Sequence, residues 1–447
     1  MTQANPTQRE LDQGRMRSVA NNVILHLHPT RVAAPALRFS YTWGLGGISA
    51  LLSAILIVTG VLLMFRYEPT VERAYNSLQS LETTVAFGSL LRALHHWSAN
   101  LLVVTLFLHL LRVFFTGGFK KGRGLNWAVG LVLFILVLAS NFTGYLLPWD
   151  QLAYWAVTVG TSLLAYVPVV GAELGRLALG GSEVGQRTLD NFFALHVAVL
   201  PLSLLGLLLY HFWRIRKDGG ISQPPPEEGK RTRFVTTIPH LVQREAAAAA
   251  TVLAVVIVWS MLFPAPLGPL ANPSQSPNPA KAAWYFLGLQ ELLLHLHPLA
   301  AMTLIVLVLG ALLFVPRLDG GSAGIGVYFR SRPGRTTALL GAVTALYLVP
   351  LLIVVDEYRL DWSALLPGQP AVVATGLAPL GVTLGGLALI YGLLLLFIRL
   401  RYRRRGVPAG HPEALVGLVA FIMTALIIMT IVGVFFRGPN MALTWPG

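Results

Sequence analysis

Nine stretches of this chain are long and apolar enough, or nearly so, to cross a bilayer: roughly 44–65, 93–115, 127–147, 192–213, 246–263, 299–315, 337–355, 375–398 and 414–436. A helix needs about 20 residues to span the hydrocarbon core. In lipid every backbone N–H and C=O must be paired inside the structure, which leaves the α-helix as the form such runs can take. The expected fold is therefore an all-α integral membrane protein of about nine transmembrane helices. Charge agrees, since only 12% of the 447 residues are charged and 55% are hydrophobic, where a soluble domain carries about 25% charged residues.

The net charge of +14 does not point to nucleic acid, because the basic residues sit in short loops between apolar spans. The N-terminal tail and the loops at 116–126, 212–246, 316–336 and 399–413 hold 24 of the 33 Lys and Arg residues. The alternate loops at 66–90, 148–190, 264–298 and 356–373, with the tail 437–447, hold 7. Positive charge stays on the cytoplasmic side of a membrane, so the N-terminus is expected inside and the C-terminus outside. The polar opening, MTQANPTQRELDQGRMRSVANN, lacks the apolar core of a cleavable signal peptide.

The segment QPPPEEGKRTRFVTTIPHLVQRE is rich in proline and charge and reads as a connector. It divides the chain into an N-terminal four-span domain (1–222), the connector (223–245) and a C-terminal five-span domain (246–447). The chain has no cysteine, which rules out a disulfide, a thiolate-held iron–sulfur cluster and a covalently attached haem on this subunit.

Histidines and glycines recur at one spacing. His95 and His109 lie 14 residues apart in the second span, about 21 Å of helix and nearly one face. His196 and His211 lie 15 apart in the fourth. The first and third spans carry Gly46 with Gly60 and Gly130 with Gly144, again 14 apart in each. A haem between helices needs two axial imidazoles and close backbone approach beside its flat macrocycle. The rows thus describe a four-helix bundle holding two b-type haems, one near each leaflet. His96 competes with His95 for the ligand role, but His95 keeps the 14-residue pitch. Arg92 and Arg112, three residues from a histidine each, are candidate partners for haem propionates. Intramembrane histidines also serve as hydrogen-bonders or proton relays, as in a transporter; two matched pairs opposite matched glycines favour haem.

The stretch RALHHWSANLLVVTLFLHLLRVFFTGGFKKGRGLNWAVG, followed by NFTGYLLPWDQLAYWAVTVGT, resembles the cytochrome b of bacterial Rieske/cytochrome b complexes. PWDQ at Pro148–Gln151, the TGGFKK loop and the 15-residue spacing are closer to the plastid and cyanobacterial branch, and GQRTLDNFFALHVAVLP is similar to its fourth span. NPSQSPNPAKAAWYFLGLQELL resembles the fourth subunit of that branch, here fused behind the front half. The likeness covers about 30–315; the last three spans are looser, although VGVFFRGPN is similar to related bacterial fused forms. The resemblance implies His95 and His196 as ligands of the outer haem and His109 and His211 as ligands of the inner one. It also implies quinol oxidation at an outer site, with one electron passing to a Rieske iron–sulfur protein and on to a c-type cytochrome. The other crosses to an inner quinone site, coupled to proton translocation, in a homodimeric complex of the bacterial inner (cytoplasmic) membrane. A di-haem anchor of a non-Rieske quinone-linked dehydrogenase is the alternative.

Two departures stand out. Where the family has a Pro-Glu-Trp-Tyr tetrapeptide at the outer site, this chain has Ala282, Ala283, Trp284 and Tyr285, so the proton-accepting glutamate is missing. If 282–297 is helical, Glu291 falls on the face of Trp284 and is the first candidate to replace it. Asp150 and His295 are its rivals, and Tyr154 with Trp155 match the other wall of the pocket. The plastid branch also attaches a third haem to a cysteine, a position that aligns with Gly44 here; a non-covalent third haem stays open. Arg216, Asp218 and Glu245 are the candidates for the inner quinone site.

Overall fold

A computed structural model describes residues 28–447 apart from 224–225, 227–228, 230, 320–323, 404–405, 408 and 446–447. The N-terminal tail, on which part of the charge argument and the signal-peptide reading rest, lies outside the described residues up to position 27. The longer helices, in chain order, are α1 (Leu45–Met64), α2 (Ala74–Thr84), α3 (Gly88–Phe115), α4 (Gly124–Leu146), α5 (Gln151–Leu164), α6 (Gly171–Leu179), α7 (Gln186–Lys217), α8 (Thr237–Leu262), α9 (Leu287–His295), α10 (Pro298–Leu318), α11 (Arg332–Arg359), α12 (Val372–Arg403) and α13 (His411–Phe435). Nine of these are long and apolar enough to cross a membrane, all but α2, α5, α6 and α9. The protein is an all-α integral membrane protein, and all nine expected spans are present.

Span ends differ from the apolar cores for a physical reason. Beyond the hydrocarbon, water and side chains solvate a polar helix end, so α3, α7 and α8 begin earlier, at Gly88, Gln186 and Thr237. The last residues of the connector are therefore helical. Just ahead of them runs a two-stranded antiparallel ribbon, in which Val32 of β1 (Arg31–Ala33) opposes Val235 of β2 (Phe234–Thr236). The outer segment 148–190 is also structured, since it carries α5 and α6.

In the front half α1 packs along α3 and α4 along α7, while α8 lies against α3. In the back half α11 and α13 form the tightest pair. Gly341 faces Gly417 so closely that a Cβ on Gly341 would overlap the Gly417 carbonyl oxygen. Thr337 Oγ1 donates to the Glu413 carbonyl at 2.6 Å one turn away. Helices gain nothing from hydrophobic exclusion when the solvent is itself apolar, so such small-residue contacts hold them together.

The halves are joined on the side expected to face inward. Asp319, fully buried, pairs with Lys120 at 2.9 Å and with Arg330. Arg330 also donates to the Phe114 carbonyl at 2.8 Å, and its guanidinium lies 4.8 Å above the Phe114 ring. Gly326 N–H reaches the Thr116 carbonyl at 2.8 Å, and Trp127 Nε1 donates to Leu312 at 2.7 Å. Replacing Gly341 with Leu is expected to force α11 and α13 apart at a cost of at least about 1–3 kcal/mol. A thermal-unfolding scan in detergent should show it as a clear fall in midpoint, and an unchanged midpoint would contradict this packing.

Candidate functional site

The four histidines of the front bundle meet the four glycines one to one. A Cβ on Gly60 would lie 3.2 Å from His95 Cε1, and one on Gly46 would lie 3.2 Å from His109 Cε1. Across the bundle, Gly130 stands 3.6 Å by the same measure from His211, and Gly144 would put its Cβ 2.9 Å from His196 Nδ1. Each glycine thus makes room for an imidazole of the neighbouring helix. The sequence reading had macrocycle edges pressing on these positions; the structure puts the rings there.

His95 and His196 face one another across the bundle with ring centres 6.1 Å apart and planes at 72°. A metal atom between two imidazoles needs about 2.0–2.1 Å to each nitrogen. Adding about 1 Å from each nitrogen to its ring centre gives roughly 6 Å in all, so the spacing suits an axial pair. The tautomers suit it too. The Thr59 hydroxyl gives its one hydrogen to the Ile55 carbonyl at 2.7 Å. At its 2.9 Å contact with His95 Nδ1 it must therefore accept, which leaves Nε2 with the lone pair. His196 Nδ1 donates to the Ser140 carbonyl at 2.9 Å, with the same result. A ligating imidazole is held in this way by a partner on its other nitrogen. His96 is turned elsewhere, toward Asn100.

His109, against Gly46, and His211, against Gly130, make up the other level of the bundle. The 15-residue spacing in α7 has a local cause. Residues Leu195–Val199, which include His196, form a π-helical turn. Such a turn holds one extra residue. It takes up the difference between 15 and 14 and keeps the two histidines of α7 level with those of α3.

The two arginines differ. Arg112 lies 4.6 Å over the Tyr41 ring, and its Nη2 is buried without a hydrogen-bond partner among the described residues. A buried unpaired guanidinium nitrogen beside His109 fits an incoming carboxylate. Arg92 is already engaged, by the Glu82 carboxylate and, at 3.0 Å, by the Ala265 carbonyl. The anion expected beside Arg92 is met within the protein.

On the side expected to face outward, three elements converge on the segment Trp284–Phe286. Trp284, Tyr285 and Phe286 form a single tight turn ahead of α9. Trp284 Nε1 donates to Asn100 Oδ1 of α3 at 2.5 Å, Tyr285 packs on the core between α1, α3 and α4, and Phe286 meets Phe142 of α4 at 6.1 Å. Phe142 also lies against Gly160 of α5, and Tyr154 packs edge-on to Trp149 at 5.6 Å.

The three candidate proton acceptors all have other engagements, and here the sequence expectation changes. Asp150 caps α5 by accepting from Ala153 N–H, and its other oxygen accepts from Gly268 N–H, both at 2.9 Å. It pins one outer loop to the other. Glu291 stands in α9, which follows directly on the Trp284–Phe286 turn, and its carboxylate is already claimed by other side chains. It is 1% exposed and accepts from Arg437 Nε at 2.9 Å and Nη2 at 2.6 Å, with His295 Nε2 at 3.2 Å. His295 Nδ1 reaches Asp356 at 2.6 Å, and Arg437 also pairs with Glu357 at 2.9 Å. Burial alone would raise the Glu291 carboxyl, but hydrogen bonds from His295 and Arg437 outweigh it and hold it below its ordinary range. Burial would lower His295, yet its bonds to Glu291 and Asp356 hold it above its ordinary value. A carboxylate kept ionised in this way is a poor proton acceptor.

Among the inner candidates, the Asp218 carboxylate pairs with Arg214 at 3.0 Å, and its carbonyl accepts from Arg123 at 2.7 Å. Glu245 contacts His28 at 3.3 Å instead, and Arg216 has its own partners. Asn100, Thr59, Ser140 and Arg437 are the residues that sequence reading missed. Thr59 had a signal: both outer glycines are preceded by threonine, Thr59–Gly60 and Thr143–Gly144.

A bundle that faces paired imidazoles toward one another inside a nine-span fold defines a membrane electron-transfer protein. The cytochrome b/b6/petB family profile matches residues 32–219. The cytochrome b6 of Prochlorococcus marinus (strain MIT 9515) is 47% identical over 180 residues, 40% of this chain and 82% of the relative. That of Heliobacterium mobile is 45% identical over 190 residues, 42% of this chain and 89% of the relative. A solved structure titled "Hyperthermophilic respiratory Complex III" shares the fold at a TM-score of 0.66, with 23% identity, covering 94% of this chain and 98% of that one. The chain belongs to the cytochrome b/b6 family, with a further membrane part fused behind the family region. It is an electron-transferring oxidoreductase subunit, and the cytochrome b/b6 family implies b-type haem.

Two measurements test the outer cluster. Arg437→Gln strands a buried carboxylate and is expected to destabilise the protein by about 3–5 kcal/mol, read from thermal unfolding in detergent. His295→Gln should give a pH-dependent deficit. The histidine's contribution is complete below its ordinary value of about 6.5 and fades as pH rises through the raised one. The glutamate's is present above about 4.3 and fades as pH falls through its depressed value. The stability gap between native and variant should therefore be widest at about pH 5–6.5 and narrow toward alkaline pH. A gap independent of pH would mean that His295 is not charged there.

Proposed function

We propose that this subunit oxidises membrane quinol at the outer pocket. One electron passes to a Rieske iron–sulfur protein and from there to a c-type cytochrome, the other to an inner quinone site, and the two-way split drives proton translocation. The observation that carries this reading is the outer histidine pair, 6.1 Å between ring centres with Nε2 left as the lone-pair nitrogen on both sides. When bound, two b-type haems supply one-electron carriers at two depths of the membrane. In this reading His95 with His196 and His109 with His211 would hold them, Arg112 would receive a propionate, and ligation by paired imidazoles would favour electron transfer over oxygen chemistry.

The outer site lies where α5, the outer end of α3 and the Trp284–Phe286 turn approach one another. Trp284, Tyr285 and Tyr154 would form its walls, and Glu291, Asp150 and His295 support those walls from behind. The inner quinone site is assigned to the region of Asp218, Arg214 and Arg123, with Arg216 nearby. The N-terminus lies inside, in a bacterial cytoplasmic membrane, and residues 1–222 and 246–447 form the haem-bearing and quinol-site domains of a dimeric complex.

A pyridine haemochrome count on the purified protein checks the haem assignment. The native chain is expected to carry two b haems, and His95→Leu and His109→Leu are each expected to carry one. Two haems in either variant would remove that histidine from the ligand set. Mass spectrometry of the intact complex checks the partners. A dehydrogenase in place of a Rieske protein would replace the bifurcating reading with that of a plain di-haem anchor.

A further inference from the structure

We infer that Asn100 is a positioning residue for the outer quinol pocket, aiming the Trp284 indole that forms one of its walls. This rests on the assignment of the pocket made above. An indole nitrogen can only donate, so at the 2.5 Å contact with Trp284 the Asn100 side chain must present its oxygen. Its amide nitrogen then faces back along α3, donating to the His96 carbonyl at 2.9 Å and to His96 Nε2 at 3.2 Å. The bond to a carbonyl one turn earlier fixes the rotamer on a rigid span. Every polar atom of the amide is thereby committed.

Trp284 has little else to hold its ring. It is 41% exposed, and it sits in a three-residue turn preceded by Ala282 and Ala283, which offer only methyl groups. The backbone there is anchored separately: Gln290 accepts from Ala282 N–H at 2.8 Å and donates to the Ala280 carbonyl at 2.7 Å. Gln290 thus sets where the turn lies, while Asn100 sets where the indole points. The neighbouring Tyr285 is turned edge-on, at 86°, and packs into the bundle core. What remains presented is an indole face held by its nitrogen, a flat surface suited to the aromatic head of a quinol.

The test is a double-mutant cycle on the intact complex, with Asn100→Leu, Trp284→Phe and the pair. Quinol oxidation is followed for KM and kcat, and the haem spectrum is recorded alongside. Each single change is expected to raise KM about fivefold, the worth of one ordinary hydrogen bond, with kcat within about twofold and the spectrum unaltered. The pair should be no worse than either alone, because both remove the same bond. Effects that multiply, or an unchanged KM in Asn100→Leu, would overturn the assignment. If Asn100→Leu fails to assemble, Trp284→Phe probes the same bond from its exposed end, and an unchanged KM there is equally fatal. A native complex that does not oxidise quinol at all overturns the underlying pocket, an outcome distinct from a working complex whose cycle is additive.

Discussion

Contact between an imidazole and a glycine, made four times, sets the geometry of the front bundle. In lipid there is no hydrophobic force pressing one apolar helix on another, so axes approach only where side chains are small. Gly46 and Gly60 let α1 close on the rings of α3, and Gly130 and Gly144 let α4 close on those of α7. The rings cannot tilt into space occupied by backbone. Thr59 and the Ser140 carbonyl then fix which nitrogen carries the hydrogen on the outer level. Orientation and protonation of the outer pair are thereby settled by neighbouring helices.

Charge does the equivalent work at the membrane surfaces. Asp319 draws Lys120 and Arg330 to one buried point and joins the fused back half to the loop after α3. On the opposite side Arg437, 3% exposed, gathers Glu291 and Glu357, while His295 bridges to Asp356. Buried ion pairs contribute little net stability against well-packed apolar groups, but they tolerate only one arrangement. Both clusters lie where elements distant in sequence must meet in one register. The outer one sets α9, and with it the turn that ends in the pocket wall.

Much of this was legible in the residues, and the reasons for the rest are specific. Spans and histidine rows can be read because helical geometry turns spacing into position without reference to anything else. The pairing of His95 with His196 came from the family resemblance and the choice of His95 over His96 from pitch; in the fold His95 faces His196 while His96 turns to Asn100. Glu291 looks like a free proton acceptor in the sequence, whereas Arg437 and His295 hold its carboxylate in the fold. Arg92 was given an external anion because its partner, Glu82, stands on another helix. Arg437 lies 146 residues from Glu291, beyond the reach of any local pattern. Asn100 carried no signal, since a lone amide on an apolar span looks the same whether or not an indole arrives to meet it.

The π-helical turn at Leu195–Val199 has a bearing on how such a protein can change over time. One added residue in an ordinary helix rotates everything beyond it by about 100° and moves it about 1.5 Å along the axis. In this bundle that would swing His211 away from His109 and break the inner level while sparing the outer one. The wide turn absorbs the addition locally, so the two levels stay matched although α7 has one more residue between its histidines than α3 does. In the proposed reading, the chain length between the two histidines of α7 is thereby uncoupled from the distance an electron would travel between the two levels.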